Sequence, residues 1–104
     1  MKMALARSKK LRDSARGKDC TLRLIGTCNG NKDTTVLCHV GRRRGMGIKS
    51  SDAMSIYACS SCHDALDGRV KYDEFLNPNI YEDVLRAVEE TQEKFIDSGL
   101  MVIK

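Results

Sequence analysis

The chain has no tryptophan, two phenylalanines, three tyrosines and a single proline in 104 residues. Few large side chains are available to fill a core, and a domain of this size buries only about 65% of its unfolded surface. No apolar run approaches the roughly 20 residues of a membrane span, so no membrane partner is expected. The N-terminal stretch MKMALARSKKLRDSARGK is charged and lacks an apolar run of about 7–15 residues. It is not expected to act as a secretory signal. A chain kept in the cytoplasm meets reducing conditions, where disulfides are rare. Against these shortages stand five cysteines. An odd count argues against a closed disulfide framework.

Charge is unevenly spread. Residues 1–18 carry seven Lys/Arg against one Asp, a net +6. Residues 19–69 carry seven against five, and residues 70–104 four against eight acidic groups. All five cysteines and both histidines lie in the basic part of the chain. A cationic region beside reactive side chains points to a polyanionic partner, nucleic acid first. A solvated tail and a solvated helix face account for the same charges equally well.

The pattern divides the chain into a basic N-terminal arm, residues 1–17, and a single domain, residues 18–104. The arm is polar and partly helical, with Leu5 and Leu11 too few to anchor it firmly. Alternation over Cys20–Ile25 predicts a strand. Cys28-Asn29-Gly30-Asn31 is turn chemistry. Thr34–Val40 is β-branched and apolar, a second strand, and Gly41–Asp52 reads as a cationic loop. Ser55–Ala58 is a short apolar stretch, and Ser61–Arg69 suits a short helix. After Asn77-Pro78-Asn79, with Asn79 and Glu82 as a capping pair, a helix of about five turns runs over residues 79–98. Its apolar stripe is Ile80, Val84, Leu85, Val88 and Phe95. Gly99 ends it, and Leu100–Ile103 adds a terminal strand or packed tail.

Cys59-Ser60-Ser61-Cys62 is a C-x-x-C, which brings two thiolates to one side of a tight turn. Cys20 and Cys28 form a second pair if the chain between them folds back as a hairpin. Four thiolates make a closed zinc site that supplies folding energy a small core lacks. Other readings exist for the same residues. A redox C-x-x-C calls for a βαβ context that is missing. Cys59-x-x-Cys62-His63 also matches a c-type haem attachment pattern, which leaves Cys20 and Cys28 unexplained. Cys38, mid-strand, reads as core packing. His39 and His63 each follow a cysteine, so one can serve as general base while the other holds a metal.

The run ARGKDC…TC-NGN…VLCHV-GRRRGMG…D…ACSSCHDALDGR resembles the YbcO-like nuclease family of phages and prophages, assigned to the HNH or ββα-metal endonuclease class. The likeness covers about residues 14–70. It implies an α+β fold: a small zinc-stabilised ββα-metal (HNH-like) domain, its core at about residues 20–70, with a C-terminal helix. It further implies hydrolysis of phosphodiester bonds in DNA in the cytoplasm of a bacterial host. His39 takes the place of the general base, and His63 that of a ligand to a catalytic divalent ion, Mg2+ or another. Cys20, Cys28, Cys59 and Cys62 become ligands of a structural zinc. Arg42, Arg43 and Arg44 are then placed to hold flanking phosphates. Two departures from the family pattern stand out. Cys38 occupies the place where many HNH enzymes carry a metal-binding aspartate, and no asparagine stands between residues 32 and 76. Asp52 is the nearest polar candidate for the second role, and Asp64 can serve the ion from the helix. A non-enzymatic, zinc-stabilised nucleic-acid-binding module is the alternative reading.

Overall fold

The computed structural model describes residues 8–40 and 51–102. Among these, helix α1 spans Lys9–Ser14, strand β1 Val36–His39, strand β2 Ser55–Ala58, helix α2 Ser60–Leu66 and helix α3 Ile80–Asp97. A single 3-10 turn, Lys32–Thr34, precedes β1. The chain is a small α+β domain around a two-stranded antiparallel sheet, with helix α3 toward its C-terminal end.

The sheet pairs Val36 with Ala58, Leu37 with Tyr57, Cys38 with Ile56 and His39 with Ser55. Residues directly opposite one another share a face, and neighbours along a strand alternate. Cys38, Ile56 and Ala58 therefore look one way, into a core with Leu22, Leu24, Cys59, Cys62, Ala65, Ala87 and Val88. Tyr57 looks the other way, into a second core with Leu11, Ala15 and Phe95. The Tyr57 and Phe95 rings meet edge to face at 5.5 Å, and the Tyr57 hydroxyl lies 2.7 Å from the Ser14 hydroxyl. Two buried aromatics thus carry much of one side, while on the other the buried residues are cysteines and aliphatics with Tyr72 packed at the margin.

All four residues of β2 are buried, because its free edge is covered. The Tyr57 N–H donates to the Thr91 hydroxyl of α3 at 3.1 Å, and the Tyr57 carbonyl accepts from the Thr21 N–H at 2.7 Å and the Thr21 hydroxyl at 2.8 Å. Covering an edge this way removes a pairing surface from a very short sheet.

Several sequence expectations change. Residues 20–25 are not a strand. Leu22 and Leu24 do alternate inward, but the Arg23 N–H donates to the Cys20 sulfur at 3.4 Å instead of to a neighbouring strand. Arg23 sits at φ 51°, which ends any extended run. The segment is held from outside: Arg86 of α3 donates to the Thr21 and Leu22 carbonyls at 3.1 and 2.8 Å, and Asn77 accepts from and donates to the Ile25 backbone. The Asn79 side chain makes no capping bond to α3, although Glu82 and Asp83 do stand in the first turn, where the helix dipole favours them. Leu85 is exposed. At about 100° per residue it lies one step round from Val84, off the face formed by Ala87, Val88, Thr91 and Phe95. Gly99, at φ 76°, reverses the chain so that Leu100 and Met101 pack on the Tyr57 side as a tail, not a strand. Leu11 was expected to hold the N-terminal segment loosely, yet Leu11 and Ala15 are buried under α1.

Candidate functional site

Two short loops and a helix start bring four sulfurs together. The Cys20 turn offers its sulfur to the Arg23 N–H, and the Cys59 sulfur caps α2 by accepting the Cys62 N–H at 3.4 Å. Such N–H···S bonds open each knuckle and fix where the sulfur points. Cys28 arrives on the return of the loop, its N–H bonded to the Leu24 carbonyl at 2.9 Å. The sulfurs of Cys20, Cys28, Cys59 and Cys62 all lie within 4.8 Å of one another. The Cys28 and Cys59 sulfurs are 3.8 Å apart. A tetrahedron with metal–sulfur arms of about 2.3 Å has edges of about 3.8 Å, so the donor set can hold one tetrahedral ion. Electrostatics agree. A hydrogen bond from the Cys62 thiol holds Cys20 down at about 4, against an ordinary 9.0, while that bond and burial push Cys62 up. Burial also pushes the Cys28 thiol up. Crowded thiols without a cation can ionise only in part, and a divalent ion relieves that conflict.

A second donor group lies on the same face of the sheet. Cys38 of β1, wholly buried, comes together with His63 and Asp67 of the α2 end, their ligand atoms within 4.8 Å of one another. His63 and Asp67 are one helical turn apart, and the His63 Nε2 to Asp67 Oδ2 distance is 3.1 Å. Thiolate, imidazole and carboxylate form a mixed set of the kind that borderline transition ions accept.

His39 faces the opposite side, as strand alternation requires. Its Nε2 lies 2.7 Å from Asp52 Oδ1. Asp52 is wholly buried. Its Oδ2 accepts from Arg12 Nη1 at 2.8 Å and from the Ser8 N–H at the start of α1. Burial alone would raise the Asp52 carboxyl, but its hydrogen bonds from His39, Ser8 and Arg12 and the His39 charge hold it below the usual carboxylate range. Nε2 is therefore the ring nitrogen of His39 that Asp52 engages.

The expected site residues therefore divide. The four cysteines gather as one group. His63 has Cys38 and Asp67 beside it; Asp64 points instead to Arg69 at 3.3 Å, and Asp52 belongs to His39. Arg42, Arg43 and Arg44 lie outside the described residues. Cys38, expected as core filling, is buried and is also a donor beside His63. Asp67, Arg12 and Ser8, which are not among the expected site residues, also stand in these groups. The i, i+4 spacing of His63 and Asp67 was the available signal for one of them. Nothing local in the sequence announces the contacts from α1.

The described chain is thus a small α+β domain with four cysteines placed so that they could hold one metal ion, and with His39 and His63 on opposite sides of strand β1. It matches the family described as Putative nuclease YbcO over residues 9–99, and it belongs to that family. It is 44% identical over 64 residues, 60% of this chain and 67% of the relative, to Putative nuclease YbcO of Escherichia coli strain K12. The same figures hold for Putative nuclease ybcO of Enterobacteria phage 82. A solved structure, described as a putative bacteriophage protein from Escherichia coli K-12 MG1655, superposes with a TM-score of 0.67 at 34% identity, covering 86% of this chain and all of that one.

Proposed function

We propose that this protein is a metal-dependent nuclease of the HNH type that hydrolyses phosphodiester bonds in DNA in the cytoplasm of a bacterial host. The observation that carries the reading is the pair of groups on neighbouring residues of β1: His39 oriented by a buried carboxylate, and Cys38 joined to His63 and Asp67. The order β1, β2, α2, with one histidine at the end of β1 and the other in α2, supports the HNH class. Membership of a family named for nuclease activity supports the reaction.

Zinc is the ion best suited to four thiolates, and its role there is structural, since every tetrahedral position is taken by the protein. Cys38, His63 and Asp67 are the residues that would hold a catalytic divalent ion. An ion held by these residues would supply charge neutralisation for a bound phosphoryl group. Its thiolate ligand favours zinc, cobalt or nickel over magnesium. His39, held through Nε2, takes the proton from the attacking water with its other ring nitrogen, and Asp52 stabilises the imidazolium that results. The water oxygen bonds to phosphorus as the P–O bond to the leaving nucleoside breaks.

The test is a panel of single-stranded, duplex and branched DNA offered with each divalent ion. Cleavage by the wild type is expected, with a loss of at least about 10²-fold in His39→Ala. Failure to cut any substrate with any ion sinks the nuclease reading. The basic residues of the α1 segment favour one second reading, a nucleic-acid-binding module without catalysis. It predicts salt-dependent binding that survives His39→Ala and no cleavage.

A further inference from the structure

Asp52 does more than face His39. One carboxylate oxygen takes His39 Nε2 at 2.7 Å, and the other takes Arg12 Nη1 at 2.8 Å. The imidazole and the guanidinium are therefore fixed on the two oxygens of a single buried group. Their exposures differ sharply. The Asp52 side chain is 1% exposed and that of His39 13%, but that of Arg12 is 46% exposed. A guanidinium has five N–H donors in a rigid fork, and Asp52 engages it through Nη1. The Arg12 side chain thus shares this carboxylate with the imidazole while remaining 46% exposed. Arg12 is carried by α1, whose Leu11 and neighbouring Ala15 are buried against Tyr57 and Phe95, so the side chain projects from an anchored element. The Ser8 N–H adds a further bond from the start of that helix to the same carboxylate.

We propose that Arg12 is a phosphate-binding residue of the active site: Asp52 aims its guanidinium so that it grips the phosphodiester that His39 attacks with water. This makes α1 part of the substrate site and not only a packing element. It rests on the nuclease reading for its catalytic consequence but not for phosphate binding itself. Guanidinium and phosphodiester pair in two parallel N–H···O bonds, which positions the phosphorus as well as neutralising it. Asp52 acts through both partners and is a positioning residue for each. The competing role for Arg12 is purely structural, the neutralisation of a buried carboxylate.

The experiment uses the zinc-loaded full chain and the dinucleotide thymidylyl-thymidine as probe, with His39 followed by its imidazole NMR signals. Arg16→Ala, which removes the same charge from an exposed position just beyond α1, is the control. The wild type and Arg16→Ala should both show His39 signals that move when the dinucleotide is added, and Arg12→Ala should not. Arg12→Lys, which keeps a cation near Asp52 but loses the fork, covers the case in which Arg12→Ala does not fold. It should show a weakened response. In cleavage assays Arg12→Ala should fall by about 10²-fold and Arg16→Ala by less than about threefold. An unchanged response in Arg12→Ala, or no response in the wild type, overturns the proposal. A response that depends on Arg12 in a protein that cuts no DNA upholds the phosphate site and removes the nuclease reading instead.

Discussion

The two faces of the small sheet are built by different means. On the face of Cys38 and Ile56, all five cysteines and a set of aliphatic residues form the interior. On the face of Tyr57, two aromatic rings, Leu11 and a tail after Gly99 pack in the ordinary way. The first face gathers four sulfurs that could hold an ion, and the second is closed by its side chains alone. The difference shows how a chain so poor in aromatics holds a fixed fold. Its two fully buried aromatics, Tyr57 and Phe95, stand on one side, and cysteines that could hold a metal ion line the other. Strand alternation then assigns adjacent residues to opposite jobs, with Cys38 turned to the donor cluster and His39 to Asp52 and α1.

The strongest way to break this comparison is to strike the cysteine face. Cys62→Ser should bind no zinc and should melt without a cooperative transition, because the loss is on the order of a small domain's whole stability, about 5–15 kcal/mol. Elemental analysis beside calorimetry checks it, and a wild-type melting temperature with no zinc would contradict it. On the aromatic face Phe95→Ala should cost about 3–5 kcal/mol in denaturant unfolding. The folded fraction should still carry as much zinc as the wild type, because no sulfur ligand touches that side. A smaller effect belongs to Asp52→Asn, about 1–3 kcal/mol near neutral pH. The Asp52 carboxyl is lowered from 3.8 in the folded protein, so its contribution is complete above that value and is lost as pH falls through the lowered one. The gap between wild type and Asp52→Asn should accordingly be full at pH 7 and close in acid, as read by denaturant melts at stepped pH.

Much of this was legible in the sequence where the signal is local. The C-x-x-C knuckle, the β-branched run into His39, the helix after Asn79 and its stop at Gly99 all depend on neighbours in the chain. The four-cysteine grouping was legible from spacing and a fold-back, although that fold-back is a sulfur-capped loop and not a hairpin of strands. What failed was long-range. Whether residues 20–25 extend depends on whether the Arg23 N–H finds a strand or a sulfur. Asp64 and Asp67 are equivalent by composition, but only Asp67 lies one turn beyond His63, while Asp64 is drawn to Arg69. Asp52 reads in the sequence only as a polar residue, yet its partner His39 is 13 residues away and its partner Arg12 is 40 away. No periodicity links them.

The most direct test of the central claim is the rate of DNA cleavage by His39→Ala against wild type, with both proteins shown to hold the same zinc and to melt at the same temperature. The account predicts that the variant keeps its zinc and its fold and loses at least about 10²-fold in cleavage. Cleavage at the wild-type rate by His39→Ala would contradict it.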